Sequence, residues 1–146
     1  MKKILALVLA LVLCVSLVAC GGDSGSKENT PSGGNSVVAD YLKEHKAELC
    51  DAMDSSIAQS SGGLMTSTTT IEAKGNGFVF TIKINELDGL TDSDKAALQA
   101  QYDSMSSSFE YSLEMMQSEL PELEYTEYRI CEVDGDVAAT VVVGNK

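Results

Sequence analysis

The chain has 146 residues, with 22 acidic against 10 basic side chains and a formal charge of −12. So acidic a chain is a poor nucleic-acid binder, because phosphate recognition needs a basic patch. It has no Trp, three Phe and five Tyr, which argues against a broad aromatic platform for sugars.

Lys2 and Lys3 open the chain, and Ile4 to Leu13 is almost wholly Leu, Ile, Val and Ala. A basic start, an apolar middle and small residues at the end are the signature of a secretory signal peptide, expected here over 1–19. As a membrane span the run is marginal, since a span needs about 20 predominantly apolar residues. Leu17-Val18-Ala19-Cys20 resembles the lipobox of bacterial lipoproteins. That resemblance implies diacylglycerol on the Cys20 thiol and cleavage between Ala19 and Cys20. Two acyl chains hold a protein stably to a bilayer, where one holds it only marginally. Loss of 1–19 removes two lysines and no acid, so the formal charge moves from −12 to −14.

Residues 20–35 are expected to form the lipidated Cys and a flexible tether. Gly21 to Asn35 holds five Gly, three Ser and one Pro, and no apolar side chain. Such a segment cannot bury anything, and its root-mean-square reach would be about 20 Å. Residues 36–146 are then a single globular domain, long enough to bury a core.

The domain starts with a helix expected near 37–58, capped by Ser36. Val38, Leu42, His45, Leu49, Ala52 and Met53 fall on one face. Two strands follow, Leu64 to Lys74 and Phe78 to Asn85. Phe78, Phe80, Ile82 and Ile84 share one parity, and Met65, Ile71 and Ala73 share another. Asn76-Gly77 is the favoured two-residue hairpin pair. Taken as the loop, it sets Gly75 against Phe78, Ala73 against Phe80 and Ile71 against Ile82.

Thr91 caps the next helix, with Asp92 and Asp94 on its first turn. The stripe Leu98, Tyr102, Met105, Phe109, Leu113, Met116, Leu120 predicts one long helix, with Phe109 keeping phase through Ser106-Ser107-Ser108. Pro121 stops it. The second hairpin joins Leu123–Val133 to Val137–Gly144. A loop at Asp134-Gly135 opposes Val137, Ala139, Val141 and Val143 to Glu132, Ile130, Tyr128 and Thr126.

The expected fold is α+β in the order helix, hairpin, helix, hairpin. The plainest architecture is a four-stranded antiparallel sheet with both helices on one face. Phe78, Phe80, Ile82, Ile84, Ile130 and Val141 should lie beneath the second helix.

Ala39-Asp40-Tyr41-Leu42-Lys43, Ser107-Ser108-Phe109-Glu110 and the segment PELEYTEYRICEVDGDVA resemble a family of small bacterial secreted lipoproteins. That family is catalogued as domain of unknown function 4854, and the resemblance covers Ser36 to the C-terminus. It implies lipoprotein anchoring and the same two-helix, two-hairpin layout. It supplies no activity and no site residues.

The residues themselves point to no catalytic, cofactor or metal site. His45 is the only His and falls on an apolar stripe, as a partly buried packing residue would. Zinc needs more His and Cys than the chain offers at suitable spacing. Asp88, Asp92 and Asp94 read as capping residues, and Asp134 and Asp136 as turn residues. Neither set matches the twelve-residue calcium loop.

The expected role is a non-enzymatic module, lipid-anchored on the extracytoplasmic face of the cell membrane. It would touch the bilayer through Cys20 and bind an envelope protein or a small ligand. The candidate contact surface is the sheet face away from the helices, with Thr66, Thr68, Thr70, Thr81, Lys83, Arg129 and Thr140. The competing reading is an envelope enzyme or an enzyme inhibitor. An enzyme would need a concave pocket around His45, and an inhibitor a protruding loop at Ser60–Gly63 or Glu86–Leu90.

Cys50 and Cys131 remain once Cys14 is removed and Cys20 acylated. An exported pair favours a disulfide by compartment. Geometry favours two free thiols. Cys50 lies about 100° round the helix from Leu49. If Ile130 points at the helices, Cys131 points at the other face, opposite Ala138, because side chains alternate along a strand.

Overall fold

A computed structural model describes residues 35–145. The expected signal peptide 1–19, Cys20 and the tether as far as residue 34 lie outside the described residues. Among the described residues no helix is long and apolar enough to cross a membrane. The elements are α1 (Asn35–Ser60), β1 (Ser67–Lys74), β2 (Gly77–Ile84), α2 (Asp92–Asp103), α3 (Ser106–Glu119), β3 (Tyr125–Cys131) and β4 (Val137–Gly144).

The fold is α+β, with a four-stranded sheet in the order β1-β2-β3-β4. The sheet is mixed rather than purely antiparallel. β1/β2 and β3/β4 are antiparallel hairpins, but β2 and β3 run parallel, from Gly77↔Tyr125 to Lys83↔Cys131. The cause is the helical connection. Parallel neighbours need a crossover of a dozen or more residues, and α2 with α3 carries the chain back along the sheet to start β3 where β2 started. Within each hairpin the short turn sets the antiparallel direction; between hairpins the crossover decides.

The expected single long helix is two. α2 ends at Asp103 and α3 begins at Ser106. Ser104 Oγ donates to the Gln101 carbonyl at 2.6 Å, and the Met105 amide to the Tyr102 carbonyl at 3.0 Å. Short polar side chains such as Ser104 compete for backbone partners, which weakens a helix just there. The apolar phase survives the break, since Leu98, Tyr102, Phe109, Leu113 and Leu120 are all buried.

α2 starts as its sequence predicts. Thr91 accepts the Asp94 amide, and the Asp94 carboxylate accepts the Thr91 amide and hydroxyl, a complete capping box. Those two bonds hold the Asp94 carboxyl below its ordinary range. α1 closes on Gly62, whose φ of +64° suits glycine, with the Gly63 amide reaching back to the Ala58 carbonyl at 2.7 Å.

α1 packs on β1, and α2 and α3 pack on β4. Val38, Leu42 and Ile57 of α1 join Tyr102, Phe109 and Leu113 over the strand residues Phe78, Phe80, Ile82, Ile84, Tyr128, Ile130, Ala139, Val141 and Val143. Aromatic contacts run through this core. Phe80 stacks on Tyr128 at 4.8 Å between centroids, Tyr128 meets Phe109 at 4.8 Å, and Phe109 meets Tyr102 at 6.1 Å. Burial pushes the Tyr128 hydroxyl up to about 12.

The first hairpin is displaced by two residues from the expected register. Ile71 faces Phe80, Ala73 faces Phe78 and Lys74 faces Gly77. The turn is therefore Gly75-Asn76, with Gly75 at φ +60°. A shift of two keeps every side chain on its expected face. Gly77 is left as a strand residue for a reason 48 positions away: a Cβ there would lie 2.3 Å from the Tyr125 ring. The Tyr125 hydroxyl crosses that space to donate to the Lys74 carbonyl at 2.7 Å.

The second hairpin keeps the expected register from Thr126↔Val143 to Ile130↔Ala139. It then slips, so that Cys131 faces Val137 instead of Ala138, and Glu132 no longer opposes Val137. Such a bulge leaves one residue, here Ala138, without a direct partner. The side chain of Glu132 is turned to other use. It takes Lys95 Nζ at 2.5 Å and the Leu90 amide at 2.8 Å, which ties the hairpin end to the start of α2. Those contacts hold its carboxyl below the ordinary range, Lys95 most of all.

Candidate functional site

Strand register sorts the face away from the helices into rows. One row is Thr70, Thr81, Arg129 and Thr140; the next is Thr68, Lys83, Cys131 and Val137. The structure thus brings together the expected residues Thr68, Thr70, Thr81, Lys83, Arg129 and Thr140 on one face of four strands. Thr66 shares their parity but precedes β1. Its amide and hydroxyl donate to Glu86 at 2.8 and 3.0 Å, and Asn85 Nδ2 donates to its Oγ1, so it braces a loop.

The face is less uniform than its threonines suggest. A third row holds Glu72, Val79, Glu127 and Val142. Val79 is only 1% exposed and Glu127 is buried, whereas Val142 is 42% and Val137 50% exposed. The side toward β1 is therefore polar and the side toward β4 apolar. Period-two alternation in the sequence contains these extra residues, but it does not show which of them neighbours cover.

The two central cations turn different ways. Arg129 Nε donates to Glu127 Oε1 at 2.6 Å. Lys83 reaches across β3 toward the turn of the second hairpin, with its Nζ 3.2 Å from where a Gly135 Cβ would lie. Between them Cys131 is 1% exposed. Burial pushes its thiol up, and the charges of Lys83 and Arg129 pull the other way.

Cys50 and Cys131 are both free. Cys50 packs against the helix-side core from α1, and Cys131 faces the opposite side of the sheet. The sheet lies between them, as the strand phase of Ile130 requires. Burial also raises the Cys50 thiol, while Lys46 and the Ile71 amide oppose that.

His45 is half-exposed, 4.3 Å from the Tyr41 ring and 3.8 Å from a Glu48 carboxylate oxygen. The neighbouring Tyr41 hydroxyl donates to Glu119 at 3.1 Å. Burial, then Glu119, pushes that hydroxyl up to about 12. Asp134 accepts the Asp136 amide at 2.9 Å, as a turn aspartate does. Among the described residues no group of three or more His, Cys, Asp or Glu is placed to hold a metal ion.

Comparison with family models, with curated proteins and with solved structures finds no match.

Proposed function

We propose that the chain is a lipoprotein of the family catalogued as domain of unknown function 4854. It is anchored through acylated Cys20 on the extracytoplasmic face of the cell membrane, where its folded domain acts as a non-enzymatic binding module. The observation that carries the reading is Leu17-Val18-Ala19-Cys20 at the end of an apolar run that begins behind Lys2 and Lys3. The run ends in Gly21-Gly22-Asp23-Ser24, which lacks the basic residues that stop a span in transit. A tether rich in Gly and Ser would let the domain move off the lipid surface while staying close to it.

The contact surface in this reading is the sheet face with Thr68, Thr70, Thr81, Lys83, Arg129 and Thr140. Two helix side chains that bond the edge strands favour the face over the edges as the place where a partner meets the sheet. Asp54 bonds the outer side of β1 and Gln99 the outer side of β4.

Cys20→Ala tests the anchor. Cell fractionation should show the parent in the membrane and labelled by a fatty-acid probe, and the variant unlabelled and no longer retained. A variant held as fully as the parent refutes the anchor. Affinity capture from envelope extracts tests the binding surface. The parent should retain a partner that Thr81→Glu with Lys83→Glu loses; equal capture by both places the contact elsewhere.

A further inference from the structure

β4 is an edge strand, and edge strands invite pairing with other chains. Along such a strand alternate residues turn both N–H and C=O outward. Thr140 is one of these. Its amide donates to Gln99 Oε1 at 2.8 Å, and its carbonyl accepts from Gln99 Nε2 at 2.8 Å. The primary amide of Gln99 thereby offers one acceptor and one donor, the same pair that a residue of a neighbouring antiparallel strand would offer. Its orientation is set from within α2, because Nε2 also donates to Asp103 Oδ1 at 2.8 Å. A carboxylate accepts only, so the nitrogen must lie on that side and the oxygen toward the Thr140 amide.

The flanks of this site are apolar. Val142, two residues on and turned outward along the same edge, is 42% exposed, and Val137 is half-exposed. Valine-rich edges of this kind self-associate unless something occupies their backbone groups. Anchored as proposed above, the chain would meet copies of itself on one surface, which makes the liability larger.

We propose that Gln99 is an edge guard: it occupies the backbone groups of Thr140 and keeps a second copy of this chain from pairing along β4. The pairing it prevents is antiparallel, centred on Thr140, with the amide and carbonyl of one copy bonded to the carbonyl and amide of the other.

Two measurements test this. In the parent, the Thr140 amide should exchange with solvent roughly tenfold or more slowly than loop amides such as that of Asp88. Exchange as fast as Asp88 overturns the guard. Gln99→Met keeps side-chain length and helix propensity but removes both bonds. Sedimentation equilibrium of the full chain in density-matched neutral detergent should then show self-association at least about tenfold stronger than in the parent. Adding Val142→Lys, which sets a charge on the edge, should reverse it. Association that is unchanged in Gln99→Met, or that persists with Val142→Lys, overturns the proposal.

Discussion

Gly77→Ala is expected to lower the free energy of unfolding by about 2–3 kcal/mol, the usual cost of forcing a methyl into a filled space. A Cβ at Gly77 would fall 2.3 to 2.5 Å from three carbons of the Tyr125 ring. The backbone at Gly77 is not in the left-handed region, so strain in φ is no part of the cost. The ring must swing away, and two things go with it. The bond from the Tyr125 hydroxyl to the Lys74 carbonyl breaks, and that bond ties β3 across β2 to the end of β1. The ring also leaves the neighbourhood of Val79, which is 1% exposed on the same face. Alanine restricts the unfolded chain more than glycine does, which returns about 0.4–1 kcal/mol and is included in the net figure. The denaturation midpoint should fall, with the slope against denaturant unchanged. In a Tyr125→Ala background the same Gly77→Ala change should be close to neutral. If Gly77→Ala costs as much with Tyr125 removed as with it present, the ring is not the cause.

Gly77 also shows why the sequence places the hairpin but misses its register. Asn76-Gly77 is a strong local turn signal, and local signals were all that side-chain parity had to choose between two registers that keep the same faces inward. The deciding contact comes from Tyr125, on a strand that joins the sheet through a crossover. The same distance in sequence hides the parallel pairing of β2 with β3. Apolar alternation marks each strand and its inward face, but it is silent on direction. The break between α2 and α3 was open to reading in part, since Ser104 and the serines after it favour local backbone bonds. The continuous apolar phase from Leu98 to Leu120 outweighed them because packing needs phase and not an unbroken ladder.

The candidate face was legible for the same reason the core was. Thr68, Thr70, Thr81, Lys83, Arg129 and Thr140 share the parity opposite to Ile71, Phe80, Ile82, Ile130 and Ala139. What alternation could not supply is the pairing within the face. That Arg129 turns to Glu127, and that Lys83 extends toward the Gly135 turn, depend on side-chain length and on neighbours set by the sheet order. The two residues that close the sheet edges, Asp54 and Gln99, were also hidden. A single polar residue on an amphipathic helix looks like any other part of the wet face.

Asp54→Ala is expected to destabilise the domain by about 2–4 kcal/mol, because it removes three hydrogen bonds to one charged acceptor. Asp54 Oδ1 accepts the Ser67 hydroxyl at 2.6 Å and the Thr69 hydroxyl at 2.7 Å, and Oδ2 accepts the Thr69 amide at 3.2 Å. Thr69 is buried, so its amide and hydroxyl would lose a partner where water reaches poorly. The match between α1 and β1 is geometric. One helical turn earlier, Cys50 sits against the Ile71 amide. Four helical residues rise about 6 Å, and two strand residues span about 6.8 Å. Positions 50 and 54 therefore meet 71 and 69 in step, and α1 serves successive edge amides of β1. Alanine's higher helix propensity offsets the loss by no more than about 0.7 kcal/mol. Asp54→Asn should lose part of the same stability, since its NH2 group would face the Thr69 amide, donor against donor. Thr69→Val keeps the shape and removes one of the hydroxyl donors, so combining it with Asp54→Ala should cost less than the two changes summed. Equilibrium denaturation of the four proteins measures this directly. Full additivity, or a parent-like midpoint for Asp54→Ala, would show that the carboxylate does not hold the edge.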